Sequence, residues 1–257
     1  MNLPFVMVAP TGARLGRADH PALPVSLDQI TECASACHAA GANGLHLHVR
    51  DDAGRHSLDA GRYLEALSEL TRVVPGLRIQ ITTEAAGIFS VADQLTCLRG
   101  VRPDWVSISV REIARSPELA PVIYRFCAEN GIEVQHILHD TGDIALLLDW
   151  RASGTVPRDQ NSLLFVLGRY SAGQVSTPAD LAPFLKAGPG DARWMLCAFG
   201  PQEHECLLAA AQHGGDVRVG FENSRTAVDG RIWTDNAASV RAPVRRLSDP
   251  SGRPRPE

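Results

Sequence analysis

The sequence predicts a closed (β/α)8 barrel, and three observations lead there. Eight short apolar runs alternate with eight amphipathic segments from one end of the chain to the other. The length of 257 residues suits a barrel of one domain. No G-x-G-x-x-G follows the first apolar run, which weakens the alternative, an open doubly wound sheet built to bind a dinucleotide.

The elements follow in order. Strands are expected over residues 5–9, 44–50, 78–83, 105–110, 134–139, 163–167, 194–199 and 217–221. Helices are expected over 27–40, 59–73, 91–99, 117–130, 144–152, 178–186, 202–213 and 236–246. Ser26 can cap the first helix and Gly41 can stop it. Pro75-Gly76 separates the second helix from the third strand. Thr177-Pro178 supplies a cap followed by proline at the first helical position. Residues 1–248 are thus read as one catalytic barrel, and residues 249–257, rich in proline and charge, as a tail too polar to pack.

Composition narrows the function. A net charge of -4 argues against a nucleic-acid surface, which is normally basic. No apolar run is long enough to span a membrane, and Met1-Asn2-Leu3-Pro4 lacks the charged start of a signal peptide. Six cysteines without framework spacing read as reduced thiols, so a cytoplasmic location is expected. Cys33 and Cys37, one helical turn apart, read as packing residues. Lys186 is the only lysine and falls at the end of an expected surface helix, which argues against imine chemistry.

In a barrel of this kind chemistry gathers at the C-terminal ends of the strands. The second strand carries His46 and His48 in Gly44-Leu45-His46-Leu47-His48-Val49-Arg50-Asp51. A period of two turns both imidazoles to one face. Two buried imidazoles side by side need partners for their nitrogens, and a divalent cation, zinc first, provides them. Asp51 can orient an imidazole or simply form an ion pair. The eighth strand places Arg218, Gly220 and Glu222 on one face. Glu222 could complete a site of two histidines and one carboxylate, with Arg218 holding an anion and Gly220 giving room for close approach. An ion pair of Arg218 with Glu222 is the plainer alternative. His136 and His139 differ by three, so only one of them faces the site. Thr82, Thr83, Ser107 and Ser109 stand at strand ends as possible pocket linings, although hydroxyl residues are ordinary there.

Taken together these motifs resemble the beta-keto acid cleavage enzymes. The matching segments are Ala9-Pro10-Thr11-Gly12-Ala13, His46-Leu47-His48-Val49-Arg50-Asp51, Gln80-Ile81-Thr82-Thr83, Phe165-Val166-Leu167-Gly168 and Val217-Arg218-Val219-Gly220-Phe221-Glu222-Asn223, followed by Asp229-Gly230 and Asn236. They run in order from about residue 4 to about residue 247. The resemblance implies a zinc-dependent (β/α)8 homo-oligomer, dimer or tetramer. Such an enzyme exchanges acyl groups between a beta-keto acid and acetyl-CoA, giving acetoacetate and a new acyl-CoA by a retro-Claisen route. By matched position it implies His46, His48 and Glu222 as zinc ligands and Arg218 as the catalytic arginine. Thr82 or Thr83, with Ser107 or Ser109, fall where the family contacts its substrate.

Three positions depart from the family pattern. Asn223 stands where many members carry an aspartate that takes part in proton transfer. The family's glutamate near the fifth strand is replaced in the 135–139 region, and Arg14 stands where some members carry an acid. Asn223 can contact substrate but cannot act as a base, which leaves Glu84, His136 or the substrate itself for that role. Two other readings stay open: a zinc-dependent hydrolase or lyase on the same barrel, and a non-catalytic metal or acyl-CoA binding protein.

Overall fold

The computed structural model describes residues 3–188 and 190–248; the expected tail, residues 249–257, lies outside the described residues. In chain order the strands are β1 (Val6–Val8), β2 (Gly44–Leu47), β3 (Val49–Arg50), β4 (His56–Ser57), β5 (Arg78–Thr82), β6 (Trp105–Ser109), β7 (Glu133–Leu138), β8 (Ser162–Leu167), β9 (Arg193–Ala198) and β10 (Asp216–Val219). The helices are α1 (Leu27–Ala39), α2 (Ala60–Val73), α3 (Val91–Val101), α4 (Val110–Ile113), α5 (Ala120–Glu129), α6 (Thr141–Ala152), α7 (Ala182–Ala187), α8 (Glu203–Gln212) and α9 (Asn236–Ser248). β1, β2 and β5 to β10 close into one parallel barrel, with β1 pairing both β2 and β10. This is the expected (β/α)8 barrel. No described helix is long and apolar enough to cross a membrane.

The expected punctuation operates. Ser26 accepts from the Gln29 amide in a reciprocal capping box at the start of α1. Asp59 caps α2 and Asp140 caps α6. Two elements were not expected. The second strand breaks at His48, and Val49–Arg50 peels off to pair antiparallel with His56–Ser57. β6 turns at once into the single helical turn of α4.

The barrel interior is graded. Its floor is apolar: Met7, Trp105, Leu164 and Met195 are buried, and Phe5 meets Trp105 edge-on at 6.0 Å. Arg78 lies over Trp105 at 4.5 Å, and Arg193 lies over Phe5 at 5.2 Å. Above the floor a polar layer begins with Gln80 and Gln135, hydrogen-bonded to each other at 3.0 Å. Outside the barrel, β-branched and leucine side chains of the strands pack against the helices in one continuous core.

Candidate active site

The two histidines converge as their spacing predicts. His46 Nε2 and His48 Nε2 lie 3.2 Å apart, and both rings are buried. Glu222, in the turn after β10, brings Oε2 to 3.7 Å from His46 Nε2 and 3.6 Å from His48 Nε2. Among the described residues these three side chains form a group able to hold a metal ion. Zinc bonds of about 2.0–2.1 Å in a tetrahedron separate the ligand atoms by about 3.3 Å. The three observed separations bracket that value from just below to slightly above. Glu222 Oε2 is buried without a hydrogen-bond partner, an arrangement that is costly unless a cation takes the oxygen. The donor set, two imidazoles and a carboxylate, therefore fits a divalent ion of the zinc type.

The electrostatics agree. Burial, reinforced by the Arg218 charge, pushes the His46 imidazole down to about 4. Burial and the neighbouring His46 likewise hold His48 well below the usual histidine range. Both rings are thus neutral at neutral pH, the form that ligates. Burial acts to raise Glu222, but Arg218, His46, Arg169 and Arg14 outweigh it and hold the carboxyl below its ordinary range.

Several residues prepare this geometry, and the sequence reading missed most of them. Gln80 Oε1 meets His46 Nδ1 at 2.8 Å, fixing the ring and directing its other nitrogen to the site. Gly12, at φ 66°, sits so close to Glu222 that an added Cβ would lie 2.7 Å from its Cγ. Glu203, 1% exposed, accepts from the Gly220 amide and from Asn223 Nδ2, each at 3.1 Å. It thereby ties α8 to the end of β10. Gln80 and Gly12 lie inside family-like segments, but nothing in the pattern marks Glu203 among helical glutamates.

Arg218 enters the barrel from β10 with Nη2 3.5 Å from Glu222 Oε1 and 3.2 Å from Cys197 Sγ. Its Nε and Nη1 are buried without a hydrogen bond. Gly220 does give room for close approach, but to backbone: an added Cβ would meet Ala9 O at 2.5 Å, not a ligand. Asp51 pairs with Arg55 at 2.8 Å rather than with a histidine. Arg50 instead donates to the carbonyls of Gly12, Ala13 and Leu15, and so pins the loop that presses on Glu222.

Two cavities open at the mouth. The larger, about 380 Å³, is bordered by the loops after β1, β8, β9 and β10; the smaller, about 40 Å³, lies over His46, Thr82, Ser109, His139 and Arg218. Glu84, Arg169, Phe199 and Glu222 border both. Of the four hydroxyl residues, Thr82 and Ser109 line the smaller cavity. Thr83 turns away to donate to the Ser107 carbonyl at 3.4 Å, and Ser107 is buried below the cavity on the inward face of β6. Asn223 borders the larger cavity, with its amide nitrogen held by Glu203 and the Arg218 carbonyl.

His136 is corrected. It points outward from β7 toward α5, 5.3 Å from the Tyr124 ring, and its Nε2 is 3.0 Å from the Gln160 carbonyl. Burial lowers its imidazole to about 3. It has no access to the mouth and cannot serve there as a base. His139, of opposite parity, faces the smaller cavity beside Tyr170.

The chain also has relatives among known proteins. The profile of the beta-keto acid cleavage enzyme family matches residues 4–254. A 3-keto-5-aminohexanoate cleavage enzyme of Acetoanaerobium sticklandii is 26% identical over 97% of this chain and 93% of its own. A 3-oxoadipate:acetyl-CoA acetyltransferase of Cupriavidus necator is 24% identical over 97% of this chain and 90% of its own. Among solved structures, the apo structure of ObcA superposes with a TM-score of 0.66 at 17% identity; it covers 88% of this chain, which spans 61% of that one. A type I 3-dehydroquinate dehydratase of Clostridium difficile shares the fold with a TM-score of 0.63 at 11% identity, over 96% of this chain and 94% of its own. On this evidence of sequence and fold, the chain belongs to the beta-keto acid cleavage enzyme family.

Proposed function

We propose that the chain is a zinc-dependent acyl-exchange enzyme that converts a beta-keto acid and acetyl-CoA into acetoacetate and a new acyl-CoA. One observation carries the reading: His46, His48 and Glu222 meet at the barrel mouth, with Arg218 3.5 Å from Glu222. These three side chains would hold the ion, which when bound supplies Lewis-acid stabilisation to negative charge growing on a substrate oxygen.

The chain's own residues do the rest. Arg218 directs two buried, unoccupied donors toward the substrate's carboxylate. Thr82 and Ser109 offer hydroxyls at the wall of the smaller cavity. With Asn223 unable to take a proton and His136 facing outward, Glu84, which borders both cavities, is the proposed acceptor of the C2 proton. C2 then bonds to the acetyl carbonyl carbon and the sulfur departs. The sulfur bonds in turn to the original keto carbon, the bond between that carbon and C2 breaks, and C2 regains its proton. Acetoacetate and the new thioester account for every atom.

The family resemblance further supports a homo-oligomer and, with six free cysteines, a cytoplasmic enzyme. Metal analysis by native mass spectrometry is expected to give about one zinc per chain. A His46→Ala protein that kept stoichiometric metal would remove the assignment. In the exchange assay, acetyl-CoA should be consumed only when a beta-keto acid is present, with acetoacetate and a new thioester appearing together. Free CoA without a new thioester would instead favour a hydrolase.

A further inference from the structure

The larger cavity carries a charge that the acyl-exchange chemistry does not use. Arg169 borders both cavities, 19% exposed, with its guanidinium over the Phe199 ring at 5.1 Å. Its nearest acid is Glu84 at 3.9 Å, too far for a hydrogen bond, and among the described residues its guanidinium makes no hydrogen bond. Glu84 is already engaged at 2.6 Å by Arg14, which enters from the loop after β1. One carboxylate therefore faces two guanidinium groups, which leaves one positive charge. Elsewhere Glu222 belongs to the cation, Arg218 faces the substrate's reacting end, and Arg225 adds a further positive charge at the rim of the larger cavity. Glu112, the other acid of the smaller cavity, is raised toward its neutral form by burial and accepts from the Ala85 amide and Gln94.

We propose, resting on the acyl-exchange reading, that the beta-keto acid used by this chain carries a second anionic group at the end remote from its reacting carboxylate, seated against Arg169 with Arg14 beside it. Arg169 is the specificity-determining residue. Its place at the junction of the two cavities puts it where a chain leading away from the cation site would end. Phe199 holds the guanidinium plane in place, so little side-chain entropy is lost on binding. A phosphate of the thioester is the other anion that could seek this charge.

Binding is tested first, on the metal-loaded full chain by calorimetry, with adipate and hexanoate as non-reacting probes. Adipate is expected to bind at least about tenfold more tightly, as one charge-assisted hydrogen bond warrants. Arg169→Met, which keeps an apolar arm over Phe199, should abolish that ratio, and Arg169→Lys should restore part of it. Equal affinities for the two probes in the wild type would overturn the proposal. In the exchange assay, keto acids ending in carboxylate or methyl are compared at saturating acetyl-CoA. The ratio of their kcat/KM values should favour the diacid and collapse in Arg169→Met. A rise in KM for acetyl-CoA alone, equal for all keto acids, would assign the arginine to the thioester's phosphates and refute the proposal. Absence of exchange with every keto acid, while adipate still outbinds hexanoate, would count against the exchange reading and leave the diacid site standing.

Discussion

Replacing Gly12 by alanine tests how the carboxylate of Glu222 is held in place. Two costs follow from the structure. Gly12 has φ 66°, a left-handed conformation that costs a side-chain-bearing residue about 1–2 kcal/mol. For a chain of this size that lowers the melting temperature by about 2–8 °C. The second cost is local. The new Cβ would lie 2.7 Å from Glu222 Cγ and 3.3 Å from its Cβ. Ordinary carbon contacts are about 3.5–4.0 Å, so the Glu222 arm must retreat by about 1 Å. Metal–ligand distances tolerate only about 0.2 Å, so one ligand of three is lost or badly placed. An affinity loss of about 100-fold or more is expected, comparable to the upper effect of disturbing a ligand's support. Zinc per chain is measured after dialysis against a buffered zinc series, with scanning calorimetry on the same samples. A protein melting a few degrees lower but binding zinc as tightly as the wild type would show that Gly12 serves the turn alone, and the account of Glu222 would fail.

Gln80→Met removes the acceptor on His46 Nδ1 and should weaken zinc binding about 10- to 100-fold, read in the same titration. Arg218→Met should keep the metal but lower kcat for acyl exchange by about 10²- to 10³-fold; an unchanged kcat would contradict its role at the reacting end. His136→Leu should cost about 0.5–1.5 kcal/mol through the lost bond to the Gln160 carbonyl, which keeps its bond from Arg151, seen in urea unfolding, with kcat unaltered, because the ring faces α5. Glu203 provides a pH test. Burial holds its carboxyl well above the ordinary carboxylate range, so the folded chain keeps a proton that the unfolded chain has released. Its stabilisation is complete below the unfolded value, about 4.3, and is lost as pH rises through the folded value. Glu203→Gln should therefore gain stability relative to wild type with rising pH, and parallel stability curves from acid to alkaline pH would refute this.

Periodicity made the barrel readable, because each strand buries both faces and each helix one, and those patterns survive in sequence. The ends of elements were less visible. The break after Leu47 and the peeled hairpin at Val49–Arg50 depend on Arg50 reaching the carbonyls of the β1 loop, a tertiary contact that no local pattern encodes. In the site, a period of two was enough to pair His46 with His48. It also reduced His136 and His139 to a choice of one, which only the register of β7 decides. Thr82 against Thr83 was the same choice, as each strand turns one neighbour in and one out. Gln80, Gln135 and Glu203 stayed hidden because a buried amide or acid looks like a surface residue until its partner, far away in sequence, is known. The excess charge of Arg14 and Arg169 was equally invisible, since 155 residues separate two groups that share one carboxylate.

The plugged base of the barrel has a kinetic meaning. With Trp105, Met7 and Phe5 filling that end, both cavities of the site open at the opposite end of the barrel. On the proposed acyl exchange, two reactants of unequal length share that end, and the long tail of a thioester fills it. On that reading the shorter keto acid is expected to bind first and the exchanged thioester to leave before acetoacetate, an order that product-inhibition kinetics would check.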